Sequence, residues 1–299
     1  MRALHSYILI LLVFILTWTS CDVIEEPYLR DGVTPPPDTS ACPVPVFPDP
    51  GPALQYVLLE DYTGHKCPNC PEAAKLAHDL QAQWGNRLIV LTIHAGWFAT
   101  FGSAPYTTDY TTPAGDAWDQ TFGISNVGNP NGMVNRTGYA QTHIVGPANW
   151  AGRIQDEMQQ TPKLSMQLIT DYTDSERKLC AHVRTTWLSD MQEALNLVVV
   201  MTEDSLVSPQ KNNNPQIGPV PDILEYTHMH VLRHALTSSW GNSIASPDSL
   251  LVAGTRKIHT FRYDLPEANM PKQCHIVAFV YQTSNYRILQ VVEAPVVQP

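Results

Sequence analysis

Clustered positive charge is what this sequence most plainly lacks. Its 18 Lys and Arg stand against 28 Asp and Glu, the formal charge is -10, and no basic patch interrupts the chain. A nucleic-acid partner needs grouped cations to neutralise phosphates, so that class of function is excluded. The N-terminal apolar segment, residues 7–16, falls short of the roughly 20 residues that a membrane helix requires. Glycine-rich nucleotide-binding patterns and a Gly-x-Ser-x-Gly nucleophile motif are also missing, which leaves no case for a nucleotide enzyme or a serine hydrolase of that type. Internal repeats are absent too. Charged residues make up only 15% of the chain while Pro is plentiful at 25, a balance that suits a loop-rich exported protein. With 299 residues and 43% hydrophobic side chains, the chain is long enough to bury two domain cores.

The first 20 residues carry one Arg, an apolar stretch and small polar residues, the make-up of a signal peptide. Thr19-Ser20-Cys21 resembles a bacterial lipidation site, although Trp18 stands where Leu is usual. Cys21 is therefore the expected lipid anchor, and residues 21–52, rich in Pro and acid, read as a tether. Export permits disulfides. Five cysteines remain beyond Cys21, so at least one is left without a partner in the chain. Cys180 and Cys274 lie in strand-like segments and are the candidates for a structural bridge.

Residues 53–161 alternate strand and helix. "YVLLEDY" at 56–62 and "RLIVLTIHAGWF" at 87–98 are apolar strands, and between them Ala73, Leu76, Ala77, Leu80 and Trp84 recur at helical spacing. That order implies a parallel strand-helix-strand unit. A short helix near 117–122, a hairpin joining 132–136 to 141–145, and a helix over 149–160 complete the half. Residues 162–299 turn to alternating strands, with a long loop at 207–222 and an ambiguous stretch around His228, His230 and His234, two of which would share one helical face. The expected architecture is an α/β domain followed by an antiparallel β-sandwich-like domain. Trp187, Val198, Val199, Val200, Phe261, Ile276, Ala278 and Val280 are its core candidates.

The chemistry concentrates in "YTGHKCPNCPEA", where Cys67 and Cys70 sit between the first strand and the first helix. At a helix N-terminus, unpaired N–H groups favour a thiolate, and a second thiol three residues on can resolve a mixed disulfide. A zinc site would need two more ligands, and there is no second close cysteine pair. A plain structural clip remains the third alternative.

"VLLEDYTGHKCPNCPEA" resembles the thioredoxin superfamily and, more closely, the Omp28-related outer-membrane lipoproteins. The resemblance extends through "FGISNVGNPNGMVNR", "YTHMHVLRHALTSSWG" and "QVVEAPV". It implies a thioredoxin-like domain with a β-rich partner in the cell envelope, with no cofactor. On the thioredoxin pattern Asp61 becomes the buried carboxyl that takes the proton of Cys70. Pro130 becomes the cis proline facing the dithiol, and Asn129 offers it a peptide-binding backbone. Where thioredoxins carry Trp before the first cysteine, this chain has His65 and Lys66, which would favour the Cys67 thiolate and a more oxidising pair.

His94 and Trp97 end the second strand and are candidates to line the substrate groove. A metal site is not expected, the histidine group at 228–234 lacking a cysteine or acidic cluster beside it. Two functions follow. One is thiol-disulfide exchange on a cysteine-containing envelope protein, and the other is a non-catalytic lipoprotein that binds an unknown protein partner around a structural disulfide.

Overall fold

The computed structural model describes residues 42–298. The expected signal peptide, Cys21 and the first part of the tether lie outside them. Val57–Thr63 (β1) is buried at all seven positions. Cys70–Trp84 (α1) follows, and Leu88–His94 (β2) returns parallel to β1, from Val57 opposite Leu88 to Thr63 opposite His94. Ala73, Ala77 and Leu80 form the stripe that α1 lays on this pair. Pro71 stands in the first turn, where a missing N–H breaks no helical bond. Pro113–Phe122 (α2) and Ile124–Val127 (α3) lead to Asn131–Val134 (β3), antiparallel on the other edge of β1. Trp150–Met158 (α4) packs Trp150 and Ile154 on the same face as α1. The expected hairpin after β3 shrinks to one bridge, Gly132 to Val145.

Ten strands follow: Leu164–Thr173 (β4), Lys178–Trp187 (β5), Leu195–Glu203 (β6), Leu206–Lys211 (β7), Asp222–His228 (β8), Val231–Ala235 (β9), Asn242–Ala245 (β10), Arg256–Asp264 (β11), Cys274–Gln282 (β12) and Ile288–Pro295 (β13). The ambiguous stretch is thus extended, and no helix aligns His230 with His234. The protein is mixed α/β and mostly sheet. An eight-stranded mixed sheet runs β13-β12-β6-β9-β2-β1-β3, with β10 also on β6; β11-β5-β4 form a second sheet and β7-β8 a separate ribbon. Strands from both sides of residue 162 share the large sheet, joined where Thr92 of β2 meets Val231 of β9.

Alternation explains how one sheet serves two cores, since successive strand residues face opposite sides. Leu197, Val199, Met201, Ile276, Ala278 and Val280 face the β4-β5-β11 sheet, whose Leu179, Ala181, Val183, Trp187 and Phe261 meet them. Val198, Val200, Val277, Phe279 and Tyr281 face the other way, towards Trp118, Phe122, Leu58 and Tyr62. All eight expected core residues of the second half are buried.

The same alternation corrects the expected bridge between Cys180 and Cys274. Leu179 and Ala181 of β5 point into the core that holds Cys274, so Cys180 points away from it. Its partner is Cys42, with S–S 2.02 Å and Cα–Cα 5.5 Å, while Cys274 is a buried free thiol. The adjoining chain is held on that outer face, where Arg184 lies over the Phe47 ring and donates to Pro48 O.

One buried ion pair of the first half sits where the two halves meet, against the Phe279 ring of β12. Arg136 donates to both carboxyl oxygens of Glu60 at 2.7 and 2.9 Å, with both side chains wholly buried. Its guanidinium also lies 4.9 Å from the Trp118 and Phe122 ring centroids and 5.1 Å from that of Phe279. Removing one member leaves the other charge buried without compensation. Glu60→Gln should therefore lower unfolding stability by about 3–5 kcal/mol, read from the shift in denaturant midpoint.

Candidate functional site

Cys67 precedes α1 and Cys70 opens it, and the two form a disulfide with Cα–Cα 5.4 Å. The turn that presents them is set by close packing. A Cβ on Gly64 would come within 2.4 Å of the Phe98 and Ala99 backbone, and Lys66 N–H donates to Phe98 O at 3.0 Å. Only glycine lets the 97–99 turn lie so near.

Period-two alternation along β1 divides its acids. Glu60 faces Arg136, and Asp61 faces α1. Asp61 is 2% exposed, its Oδ1 makes no hydrogen bond, and it shares the wall of a cavity of about 350 Å³ with Cys70, Thr92, His78, Tyr226 and His228. Burial without a cation pushes its carboxyl up to about 7. Across the first turn of α1, a second cavity of about 480 Å³ is lined by Asn69, Glu72, Leu76, Pro130 and Pro147. The Asn129–Pro130 peptide is cis, as expected, and the Asn129 side-chain amide is buried without a partner.

The structure redraws the roles expected of four neighbours. His65 is fully buried with Nδ1 3.1 Å from Pro209 O, and burial pushes its imidazole below the ordinary value, against the raising effect of that carbonyl. Burial thus works against the charged form that would favour a Cys67 thiolate. Lys66 reaches Thr100 Oγ1 at 2.9 Å. Trp97 is 75% exposed on the surface turn, and His94 is buried.

His65, His94 and His228 have ring centroids 5.0–5.4 Å apart, and Tyr110 lies 5.0–5.2 Å from each. Desolvation holds His94 well below its usual value and takes His228 down to about 3. The group is a neutral, close-packed box. No set of three or more His, Cys, Asp or Glu among the described residues is arranged to hold a metal ion. His230 instead contacts Asp204, and His234 stacks on Tyr263.

Cys67 itself is 0% exposed. The β7-β8 ribbon covers it. Gln210 Nε2 donates to Gly64 O at 3.2 Å and Cys67 O at 2.9 Å, Lys211 N–H to His65 O at 2.8 Å, and Asn213 N–H to Pro68 O at 3.1 Å. Sequence reading missed Gln210, Tyr226 and Tyr110 because their positions carry no local motif; they reach the site only through long-range folding.

A family model described as outer membrane protein Omp28 matches residues 115–298, more than half of the chain, beginning after Cys70. No curated protein matches the sequence. HBP35 of Porphyromonas gingivalis is similar in structure, 19% identical with a TM-score of 0.58 over 82% of this chain and 76% of that one, a likeness in fold. A domain of the outer membrane lipoprotein Omp28 from the same organism aligns at 20% identity and TM-score 0.31, covering 46% of this chain and 90% of that one. No helix among the described residues is long and apolar enough to cross a membrane.

Asp61 titrates with folding. Its carboxyl moves from the model-compound value of 3.8 to about 7 in the fold, so the folded state holds a proton that the unfolded state has released. Asp61's own contribution to stability is then fully present below about pH 4 and is lost as pH rises through about 7. Asp61→Asn, which cannot ionise, should exceed the parent protein in stability by about 4 kcal/mol at pH 8 and match it below pH 4. Denaturant unfolding across pH checks both limits.

Proposed function

The chain belongs to the Omp28 family of outer membrane proteins, and on that footing we propose that it carries out thiol-disulfide exchange on cysteine-containing envelope proteins through Cys67 and Cys70. It is a protein of the bacterial cell envelope, at the outer membrane. The proposal includes a lipid anchor at Cys21 and a thioredoxin-like reading of residues 53–161, with the β-rich remainder as a supporting domain.

The observation that carries the exchange reading is Asp61. A structural clip has no use for a buried carboxyl with an unbonded oxygen, poised near neutrality in the cavity that Cys70 lines. In exchange such a group has a defined task. When Cys70 attacks a mixed disulfide at Cys67, its thiol proton passes to Asp61; in the reverse direction Asp61 returns it to the leaving Cys70 thiolate. The parallel β1-α1-β2 unit, with Pro130 across the helix start, supports the thioredoxin-like reading.

One observation favours the second reading, a binding lipoprotein with a structural disulfide. Cys67 is wholly covered, and an attacking thiol must reach a sulfur in line with the bond it breaks.

Insulin reduction by the mature chain with a small dithiol as electron source separates the two. Exchange predicts turnover in the parent protein, none in Cys67→Ser, and a loss of about 10²-fold in Asp61→Asn with the pH dependence near 7 removed. Equal rates in the parent protein and Cys67→Ser establish the structural role instead.

A further inference from the structure

The element over the dithiol is an excursion from the sheet. β6 and β9 pair directly, Glu203 opposite Val231, so residues 204–230 leave the sheet and return to it at adjacent points. Within them β7 and β8 pair with each other as a two-stranded sheet and, among the described strands, with no other. Both ends of the excursion turn through positive φ at non-glycine residues, Ser205 at 58° and His230 at 56°. His230 N–H donates to Asp204 Oδ1 at 2.6 Å and closes the base. The ribbon tip is stiffened by Asn212, whose Nδ2 donates to the carbonyls of Asn214, Gly218 and Pro219.

What this ribbon presents to the dithiol loop is a row of donors. The carbonyls of Gly64, His65, Cys67 and Pro68 all accept from Gln210, Lys211 or Asn213, and Asn213 Nδ2 also donates to Asn69 Oδ1. Buried carbonyls need donors. An extended polypeptide laid along the same loop could supply them in the same way, by main-chain N–H and side-chain amide.

We propose that residues 210–213 are a self-strap seated in the peptide-docking edge of the Cys67–Cys70 site, and that a protein substrate reaches Cys67 by displacing it. The proposal rests on the exchange reading for its consequence in turnover, and on the hydrogen bonds alone for the occlusion. With the strap in place, the approach left to the disulfide is the 350 Å³ cavity whose wall includes Cys70, which admits a small thiol and excludes a folded protein. With the strap displaced, a thiolate of a protein dithiol attacks Cys67 Sγ. The Cys67–Cys70 bond breaks and Cys70 leaves as thiolate, taking the proton from Asp61. The second thiol of the donor then attacks its own mixed-disulfide sulfur, and Cys67 leaves as thiolate and takes up the proton that this thiol releases, so the donor leaves as a disulfide and this chain holds two thiols.

The test compares the rate of Cys67–Cys70 reduction by dithiothreitol and by a reduced protein dithiol, in the parent protein, Gln210→Ala and Asn213→Ala. Gln210 is buried and its loss can disturb packing, so Asn213→Ala at an exposed position is the second variant. Losing the strap bonds should speed reduction by the protein about fivefold in Gln210→Ala and about two- to fivefold in Asn213→Ala; in Asn213→Ala, which lies outside the cavity wall, the dithiothreitol rate should stay within about twofold. Unchanged protein-dithiol rates in both variants, or equal acceleration of Asn213→Ala with both reductants, overturn the strap. Faster reduction in the variants without multiple turnover on insulin leaves the strap standing and removes the exchange reading.

Discussion

The paired strands β6 and β12 are the constraint on which the rest of the structure depends. Both are buried on both faces, so their side chains fill two cores at once. A strand in that position reads as a continuous apolar run with no polar face, as "LVVVM" does from Leu197 to Met201. Because one face closes against β4, β5 and β11 and the other against α2 and β1, neither half of the chain completes its core without this wall. Glu60 and Arg136 make the dependence sharper, since their ion pair is ringed by aromatic side chains from α2 and from β12.

The same wall supplies the dithiol site. The chain leaves β6 at Glu203, crosses over Cys67 as the β7-β8 ribbon, and re-enters the sheet as β9 beside β2. Gln210, Tyr226 and His228 therefore come from the second half of the sequence to line a site whose cysteines come from the first. The buried Asp61 carboxyl, raised by desolvation, depends on that cover: strip the ribbon away and water would reach the wall that Tyr226 and His228 now form. Occlusion of Cys67 and the poise of Asp61 are two effects of one element.

Much of the local structure was legible in the sequence. Stripe residues at helical spacing marked α1, apolar runs marked β1, β2, β6 and β12, and the Cys67–Cys70 spacing marked the turn between β1 and α1, while Asp61 and Pro130 were singled out only by the thioredoxin resemblance. What was not legible is pairing over long range. Alternation on β5 sends Cys180 outward to Cys42, but the sequence does not say which face of that strand meets the core. His65 and Lys66 look like cations beside a thiolate until the fold buries one and turns the other to Thr100. The loop at 207–222 looks like a plain excursion, since its Asn and Pro residues hide a strand that, among the described strands, pairs with one other short strand alone. The family match, which begins at residue 115, bears on the scaffold and leaves the chemistry of the dithiol to be argued from geometry.

The central claim is that Cys67 exchanges disulfides with envelope proteins. The most direct measurement is covalent capture: Cys70→Ser expressed in its native envelope, with thiols alkylated at once and Cys67-linked species resolved on non-reducing gels and by mass spectrometry. The account predicts discrete mixed disulfides between Cys67 and cysteine-containing proteins, absent from the Cys67→Ser, Cys70→Ser double variant. A Cys67 recovered entirely as the free thiol, with no linked partner, would contradict it.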